Sequence, residues 1–467
     1  MKMPQNNPAS LRSGINAAGN LSCILVGLDV RATWGELLQG SILEDRASDL
    51  RGKSVLLATA DQFCSSAVLI EFDGVARRIV LYPPDLSHEY IPYVARTAEA
   101  DVLVTDRPEI VSMRHGVDRL VPCARKIAPV ESNRDSEIET EWILLTSGTT
   151  GHPKLAAHTL GSLADSGWHT DPSSATTVWS TFYDMRRYGG MHIFLHAALT
   201  GTSMVVSSAQ ESTADFLERV GAHGVTHISG TPSHWRRALM SPFADRIAPE
   251  YIRMSGEIVD QAILNQVQAQ YPQASVAHTF ASTEAGVGFY VNDGLMGFPP
   301  ELLRSNSKVD MKIEDGTLKI RSTRTASRYL GSETKVLRDA DGFVDTGDTV
   351  ELRNGRYYFT GRRDGIINVG GFKVHPEEVE ATINRHPEVA MSMVKAKKNP
   401  ITGALVIADV VLKSASRDAK DCGSVEIERD ILKFCRGELD AHKVPTAINF
   451  VPMLTIGESG KMVRRNA

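Results

Sequence analysis

Residues 146–154 read Thr146-Ser147-Gly148-Thr149-Thr150-Gly151-His152-Pro153-Lys154, a run of hydroxyls, glycines and one lysine. Glycines let the backbone turn tightly, so successive N–H groups converge on an anion. The hydroxyls add donors and the lysine adds a movable positive charge, which is chemistry for holding phosphate. A Walker A loop is excluded here, because this run contains no Gly-Lys pair followed by Ser or Thr. Taken alone, so short a run also fits an ordinary Ser/Gly surface loop. The preceding Trp142-Ile143-Leu144-Leu145 reads as the end of a buried strand that would carry it.

Further reactive groupings follow in order: Ala281-Ser282-Thr283-Glu284-Ala285-Gly286, Asp345-Thr346-Gly347-Asp348, Gly361-Arg362-Arg363-Asp364, Gly370-Gly371-Phe372-Lys373-Val374-His375-Pro376-Glu377-Glu378, and Gly460-Lys461. Together with the first run they resemble the adenylate-forming superfamily: acyl- and aryl-CoA synthetases, peptide-synthetase adenylation domains and firefly-type luciferases. The resemblance implies that Thr146, Ser147, Gly148, Thr149, Thr150, Gly151 and Lys154 hold the β- and γ-phosphates of ATP. It implies that Thr283 contacts the α-phosphate and that Glu284 is a Mg²⁺ ligand, a hard oxygen donor for a hard ion. Asp348 falls at the family's ribose-binding aspartate, with Arg362 beside it, and Gly256, Glu257 and Phe280 fall in the nucleotide site. Asp364 falls at the hinge, and Lys461 at the lysine that bridges the acid's carboxylate and the α-phosphate. Two departures stand out. Phe280-Ala281 replaces the usual Tyr-Gly, which removes a hydroxyl. The segment Phe182 to Gly189 carries charge where many relatives line an acyl pocket.

That pocket is expected to draw on Tyr183, Asp184, Arg187, Tyr188, Gly189, Ser229 and Gly286. Arg187 or Asp184 either selects a polar or charged acid or faces solvent. The Gly370-Gly371-Phe372 turn and the following Val-His-Pro-Glu resemble the CoA synthetases, whose glycines let pantetheine approach the backbone. The resemblance therefore implies an acid–CoA ligase using ATP, Mg²⁺ and CoA on a small acyl or aryl acid. The alternatives are a free-standing adenylation enzyme serving a carrier protein or other acceptor, and a non-catalytic nucleotide- or acyl-binding module.

The elements that must position these groups are legible as periodicity. Strand-sized apolar runs (Val55 to Ala58, Ile79 to Tyr82, Val102 to Thr105) alternate with amphipathic stretches, which predicts parallel sheets with helical crossovers. Around Gly316 to Tyr358 the runs are shorter and broken by Gly or Asn, as in antiparallel strands. After Gly361 a small α/β unit begins, with a helix opening at Pro376 and another bearing Ile427, Ile431, Phe434 and Cys435. The expected fold is α/β: a large N-terminal domain (residues 1–361) of packed mixed and parallel sheets plus a small distorted β-barrel, and a small mobile C-terminal α+β domain (residues 362–467) hinged near Asp364.

The 467-residue chain is 42% apolar and 23% charged with a formal net charge of −5, a balance that argues against nucleic acid as the main partner. No apolar run is long enough to span a membrane. The five scattered cysteines form no metal or disulfide pattern, so a cytoplasmic enzyme is expected. The first twenty residues read as a loose polar tail without a signal-peptide core.

Overall fold

The computed structural model describes residues 8–43, 48–113, 115–124, 126–130, 138–146, 152–164, 176–304, 308–331, 336–400, 402–413, 423–455 and 462. Two large sheets dominate. The first has seven strands in the order Arg328–Tyr329, Lys154–Thr159, Glu141–Thr146, Arg78–Leu81, Ser54–Leu57, Val102–Thr105 and Arg119–Pro122. Its last five strands run parallel, and the first two are antiparallel additions at one edge.

The second sheet has eight strands: Gly286–Val291, Ser275–Ser282, Tyr251–Ser255, His227–Gly230, Val178–Thr181, Ser203–Val205, Ile24–Val26 and Arg31–Thr33. Its six inner strands are parallel and both outer strands antiparallel. Parallel sheets need both faces covered, and here they are. Val55, Leu57, Ile79 and Leu81 of one sheet share a core with Leu25, Met204 and Trp179 of the other. Leu56, Val80 and Ile143 face a separate outer cluster, and Ile228, Ile252 and Met254 a third.

Between the sheets lie the Gln62–Phe72 and Tyr188–Thr200 helices. Every residue of the first is buried, so its sequence is apolar nearly all round instead of striped. Asp61 caps its start by accepting from the N–H groups of Phe63 and Cys64. Asp73 closes its end, where Oδ2 accepts from Leu11 N at 2.6 Å and Oδ1 from Trp142 Nε1 at 2.8 Å.

The N-terminus differs from its expected form as a loose tail. Leu11–Ala18 is a helix with a Ser10/Ser13 capping box, and Leu11 and Ile15 enter the central core. Two apolar residues four apart were enough to stick the segment down once a core face was there to receive them. One inner strand of the second sheet, His227–Gly230, begins two residues after Val225, which is buried in the outer cluster.

Four antiparallel strands, Val309–Glu314, Thr317–Ser322, Val344–Arg353 and Arg356–Arg362, make a third sheet. The chain then passes through a short turn, Arg363–Gly365, into a hairpin (Ile367–Val369 and Phe372–Val374), a helix (Pro376–Ile383) and a three-stranded sheet. The C-terminal unit has its own apolar cluster, including Ile367, Val379, Val394, Val410 and Ile431. Large sheet-rich body and small C-terminal unit together form the mixed α/β fold.

Candidate active site

A cleft of about 2210 Å³ lies between the large body and the C-terminal unit. Its floor begins where Glu141–Thr146 pairs with Lys154–Thr159. The register sets Thr146 directly opposite Lys154, so both sit at the mouth of the connection that joins the two strands. Ser147, Gly148, Thr149, Thr150 and Gly151 lie outside the described residues. Tyr329 extends the same sheet by pairing with Ala156.

Glu284 is the convergence point. Thr146 Oγ1 donates to its Oε1 at 3.2 Å and Tyr329 OH donates to the same oxygen at 3.0 Å. Among the described residues nothing hydrogen-bonds to Oε2. The Lys154 ammonium stands 5.5 Å from the centre of the Tyr329 ring. Burial, and then the Glu284 charge and hydrogen bond, push the Tyr329 phenol well above its ordinary pKa, so it stays a donor.

The Thr283-Glu284 turn is held from behind. His158 Nε2 lies 2.8 Å from the Thr283 carbonyl oxygen, which can only accept, so Nε2 carries the proton; Nδ1 faces Ser162 Oγ at 3.1 Å. Burial drives the His158 pKa down to about 4, with the Thr283 hydrogen bond opposing, so the ring is neutral near pH 7. Gly286 ends the turn at φ +75°, and a Cβ there would lie 2.7 Å from the Arg324 carbonyl oxygen. Only glycine meets both demands.

On another wall, Asp348 and Arg362 are directly opposed in the Val344–Arg353 and Arg356–Arg362 ladder, and both line the cleft. The Arg362 Nη2 donates to the Thr346 carbonyl at 3.3 Å. Phe280 lines the cleft and stacks on Phe359, with ring centres 5.1 Å apart and planes 12° apart. Asp364 also lines it.

Gly256, at φ +85°, and Glu257 form part of the wall. Glu257 is engaged at both oxygens: Oε2 accepts from Ser233 N at 3.0 Å and Oε1 from Met462 N at 3.1 Å. The carboxylate thus ties a helix start of the body to the C-terminal end of the chain. Lys461 lies outside the described residues.

The expected acid pocket comes together only in part. Tyr183, Arg187, Tyr188 and Gly189 line the cleft, with the Tyr183 ring against Gly189. Tyr183 OH donates to the Ser255 carbonyl at 2.6 Å. Asp184 does not line the cleft. Its carboxylate grips the fully buried Arg186, whose guanidinium also donates to the Thr59 and Ala60 carbonyls. Burial opposes the Asp184 charge, but Arg186 outweighs it and holds the pKa below the usual range. Arg187 pairs with Asp85. Both charges that the sequence offered for selecting an acid are therefore matched inside the protein. Ser229 and Gly286 are buried behind the lining.

Gly370, Gly371 and Phe372 sit apart from the cleft, at the hairpin turn of the C-terminal unit. Both glycines have positive φ (+57° and +91°), and the half-exposed Phe372 ring stacks on His442 with centres 4.7 Å apart.

Tyr329 and His158 were missed by sequence reasoning. His158 is one polar residue in an alternating strand, and Tyr329 sits in a strand of two residues, too short to register as periodicity.

Comparison with known proteins places this geometry. A family model described as AMP-binding enzyme matches residues 76–326, and one described as AMP-binding enzyme C-terminal domain matches residues 378–461. The chain belongs to the AMP-binding enzyme family, and with it to the adenylate-forming superfamily. It is similar to the mitochondrial acyl-coenzyme A synthetase ACSM1 of Homo sapiens, 25% identical over 69% of this chain and 60% of that protein. It is also similar to 4-hydroxybutyrate–CoA ligase 1 of Metallosphaera sedula, 27% identical over 72% of this chain and 63% of that one. The matched part thus spans less than two thirds of these relatives. Among solved structures, a benzoate CoA ligase from Burkholderia xenovorans superposes with a TM-score of 0.80 at 18% identity, covering 97% of this chain and 98% of that one, a likeness of fold. Among the described residues no helix is long and apolar enough to cross a membrane.

Proposed function

We propose that this AMP-binding enzyme is an AMP-forming acid–CoA ligase. The observation that carries the reading is the meeting of Thr146, Tyr329 and Glu284 beside Lys154, with Asp348 and Arg362 on another wall of the same cleft. In the first step a carboxylate oxygen of the acid bonds to the α-phosphorus of ATP as the bond to the pyrophosphate oxygen breaks. In the second, the CoA thiolate bonds to the acyl carbon and AMP leaves with the shared oxygen.

Lys154 and the 146–154 run hold the outer phosphates, Thr283 contacts the α-phosphate, and Asp348 takes the ribose hydroxyls with Arg362 beside them. The Glu284 carboxylate is a fitting oxygen donor for Mg²⁺, and Thr146 and Tyr329 fix its orientation through one oxygen. Among the described residues no three metal-binding side chains gather, which suits an ion held largely by substrate phosphates. When bound, Mg²⁺ supplies charge neutralisation on the phosphates. Lys461 follows the family pattern as the bridge between carboxylate and α-phosphate, and it is next in sequence to Met462 at the cleft wall. The chain divides at residues 362–364, with Asp364 the hinge, and swinging the C-terminal unit brings the Gly370-Gly371-Phe372 turn to the CoA.

The test is pyrophosphate release with ATP and Mg²⁺ over a panel of carboxylic acids, with and without CoA. Release that depends on one acid and ends in its CoA thioester is the expected result. Release with acyl-AMP retained and no response to CoA would replace CoA by another acceptor, such as a carrier protein.

A further inference from the structure

Arg253 stands in the middle of the parallel strand Tyr251–Ser255 and is 7% exposed. A buried guanidinium ordinarily lies against a carboxylate, because the charge is costly to desolvate alone. Among the described residues none lies within ion-pair distance of Arg253. Its neighbours are neutral. Nη2 donates to His192 Nδ1 at 3.1 Å, Nε lies 3.5 Å from Ser229 Oγ, and the guanidinium carbon is 6.0 Å from the centre of the Tyr290 ring. His192 is kept neutral first by burial and then by Arg253 itself, so it cannot add a compensating charge.

The strand geometry puts this cation on the sheet face that reaches the cleft. Side chains two apart in a strand share a face, so Arg253 lies about 7 Å along the same face from Ser255. Ser255 and its directly paired neighbour Thr279 both line the cleft. Thr279 is 7% exposed, and among the described residues its hydroxyl has no hydrogen-bond partner. Arg253 does not itself line the cleft; it lies one step further in, on the face that the lining residues Ser255 and Thr279 share, so an uncompensated positive charge sits behind a buried hydroxyl awaiting a partner. An anion satisfies both; an alkyl or plain aryl group satisfies neither.

We propose that the acid activated by this enzyme carries a second anionic group, most simply a second carboxylate, and that Arg253 determines specificity by pairing with it. The substrate class is then a dicarboxylic acid, thioesterified at one end while Arg253 and Thr279 hold the other. This rests on the adenylating role of the cleft. Arg187 and Asp184, the charges that sequence alone offers, are already matched by Asp85 and Arg186, which leaves Arg253 to do the selecting.

The experiment measures acid-dependent pyrophosphate release for matched pairs: linear α,ω-dicarboxylic acids and benzene dicarboxylic acids, each against its half-amide of equal length. The expected result is a kcat/KM preference for one diacid of at least about a hundredfold over its half-amide, since a site built around a polar group rejects analogues that leave it unpaired. Arg253→Met is expected to collapse that ratio, mainly through KM, and Arg253→Lys to restore part of it. If half-amides or simple monoacids are used as well as the diacids, the proposal is overturned while adenylation stands. If Arg253→Met lowers activity on every acid by the same factor, the residue is only structural and the proposal fails. If no acid in either series releases pyrophosphate, the adenylating reading falls and takes the proposal with it.

Discussion

Glu284 illustrates how much a single oxygen can decide. Two hydroxyls, Thr146 and Tyr329, converge on Oε1, and among the described residues the second oxygen has no hydrogen-bond partner. Glu284→Gln keeps the shape but replaces an acceptor-only carboxylate by an amide without charge. We expect acid-dependent pyrophosphate release to fall at least about a hundredfold and the Mg²⁺ concentration for half-maximal rate to rise. Tyr329→Phe removes one orienting bond and leaves the charge, so a loss of only about tenfold is expected. Steady-state kinetics against Mg²⁺ for both variants check this. If Tyr329→Phe proved as damaging as Glu284→Gln, the phenol would have to touch the substrate itself.

Elements hold these residues through a few buried polar joints. Asp73 is one: it joins the N-terminal helix, the buried Gln62–Phe72 helix and the strand that leads into the 146–154 run. Burial raises its pKa to about 6, against two hydrogen bonds that favour the charge. An acid whose folded pKa lies above its unfolded value, near 4, binds more protons when folded. Its contribution is therefore full below pH 4 and is lost as pH rises through about 6. Urea unfolding across pH 4 to 7 is expected to show this decline in the native protein, amounting to about 1–3 kcal/mol. Asp73→Asn cannot ionise, so the decline attributable to this site is absent in the variant, although the amide mismatches one of the two donors at every pH. An unchanged slope in Asp73→Asn would mean that Asp73 does not titrate in that range. The Asp184–Arg186 pair is a joint of the same kind, tying the segment before the Tyr188–Thr200 helix to the Thr59 and Ala60 carbonyls.

At the scale of the whole molecule the question is how body and C-terminal unit cooperate. Glu257 of the body accepts from Met462 N, and residues of both parts line the cleft, so in this arrangement the C-terminal unit completes the proposed nucleotide site. The Gly370-Gly371-Phe372 turn, proposed for CoA, by contrast stands away from the cleft. On that proposal one arrangement cannot serve both half-reactions, which is the reason to propose a hinge at Asp364. Lys461→Ala is expected to slow acyl-AMP formation about a hundredfold or more, because its charge acts on charge developing at phosphorus. Thioester formation from supplied acyl-AMP and CoA should change by less than about threefold. Rapid-quench measurement of the two half-reactions separates these outcomes, and equal losses in both would remove Lys461 from its role in the first step.

The alternation of short apolar runs with amphipathic stretches determined the parallel sheets, because a strand covered on both faces must be apolar throughout. The loop and motif residues around Thr146, Glu284, Asp348 and Arg362 were legible for a similar reason: glycine, hydroxyl and charge at fixed spacing carry their chemistry locally. The N-terminal helix was not, since Leu11 and Ile15 gain their meaning only from a core that the distant Gln62–Phe72 and Tyr188–Thr200 helices help to build. Pairing of charges was equally hidden. Sequence offers Asp184 and Arg187 as equals, and only the packed structure matches both with partners and leaves Arg253, which sequence did not single out, facing neutral groups. Local pattern decides which elements form and what chemistry they carry. Which charges remain uncompensated depends on contacts across the chain, and that belongs to the tertiary structure alone.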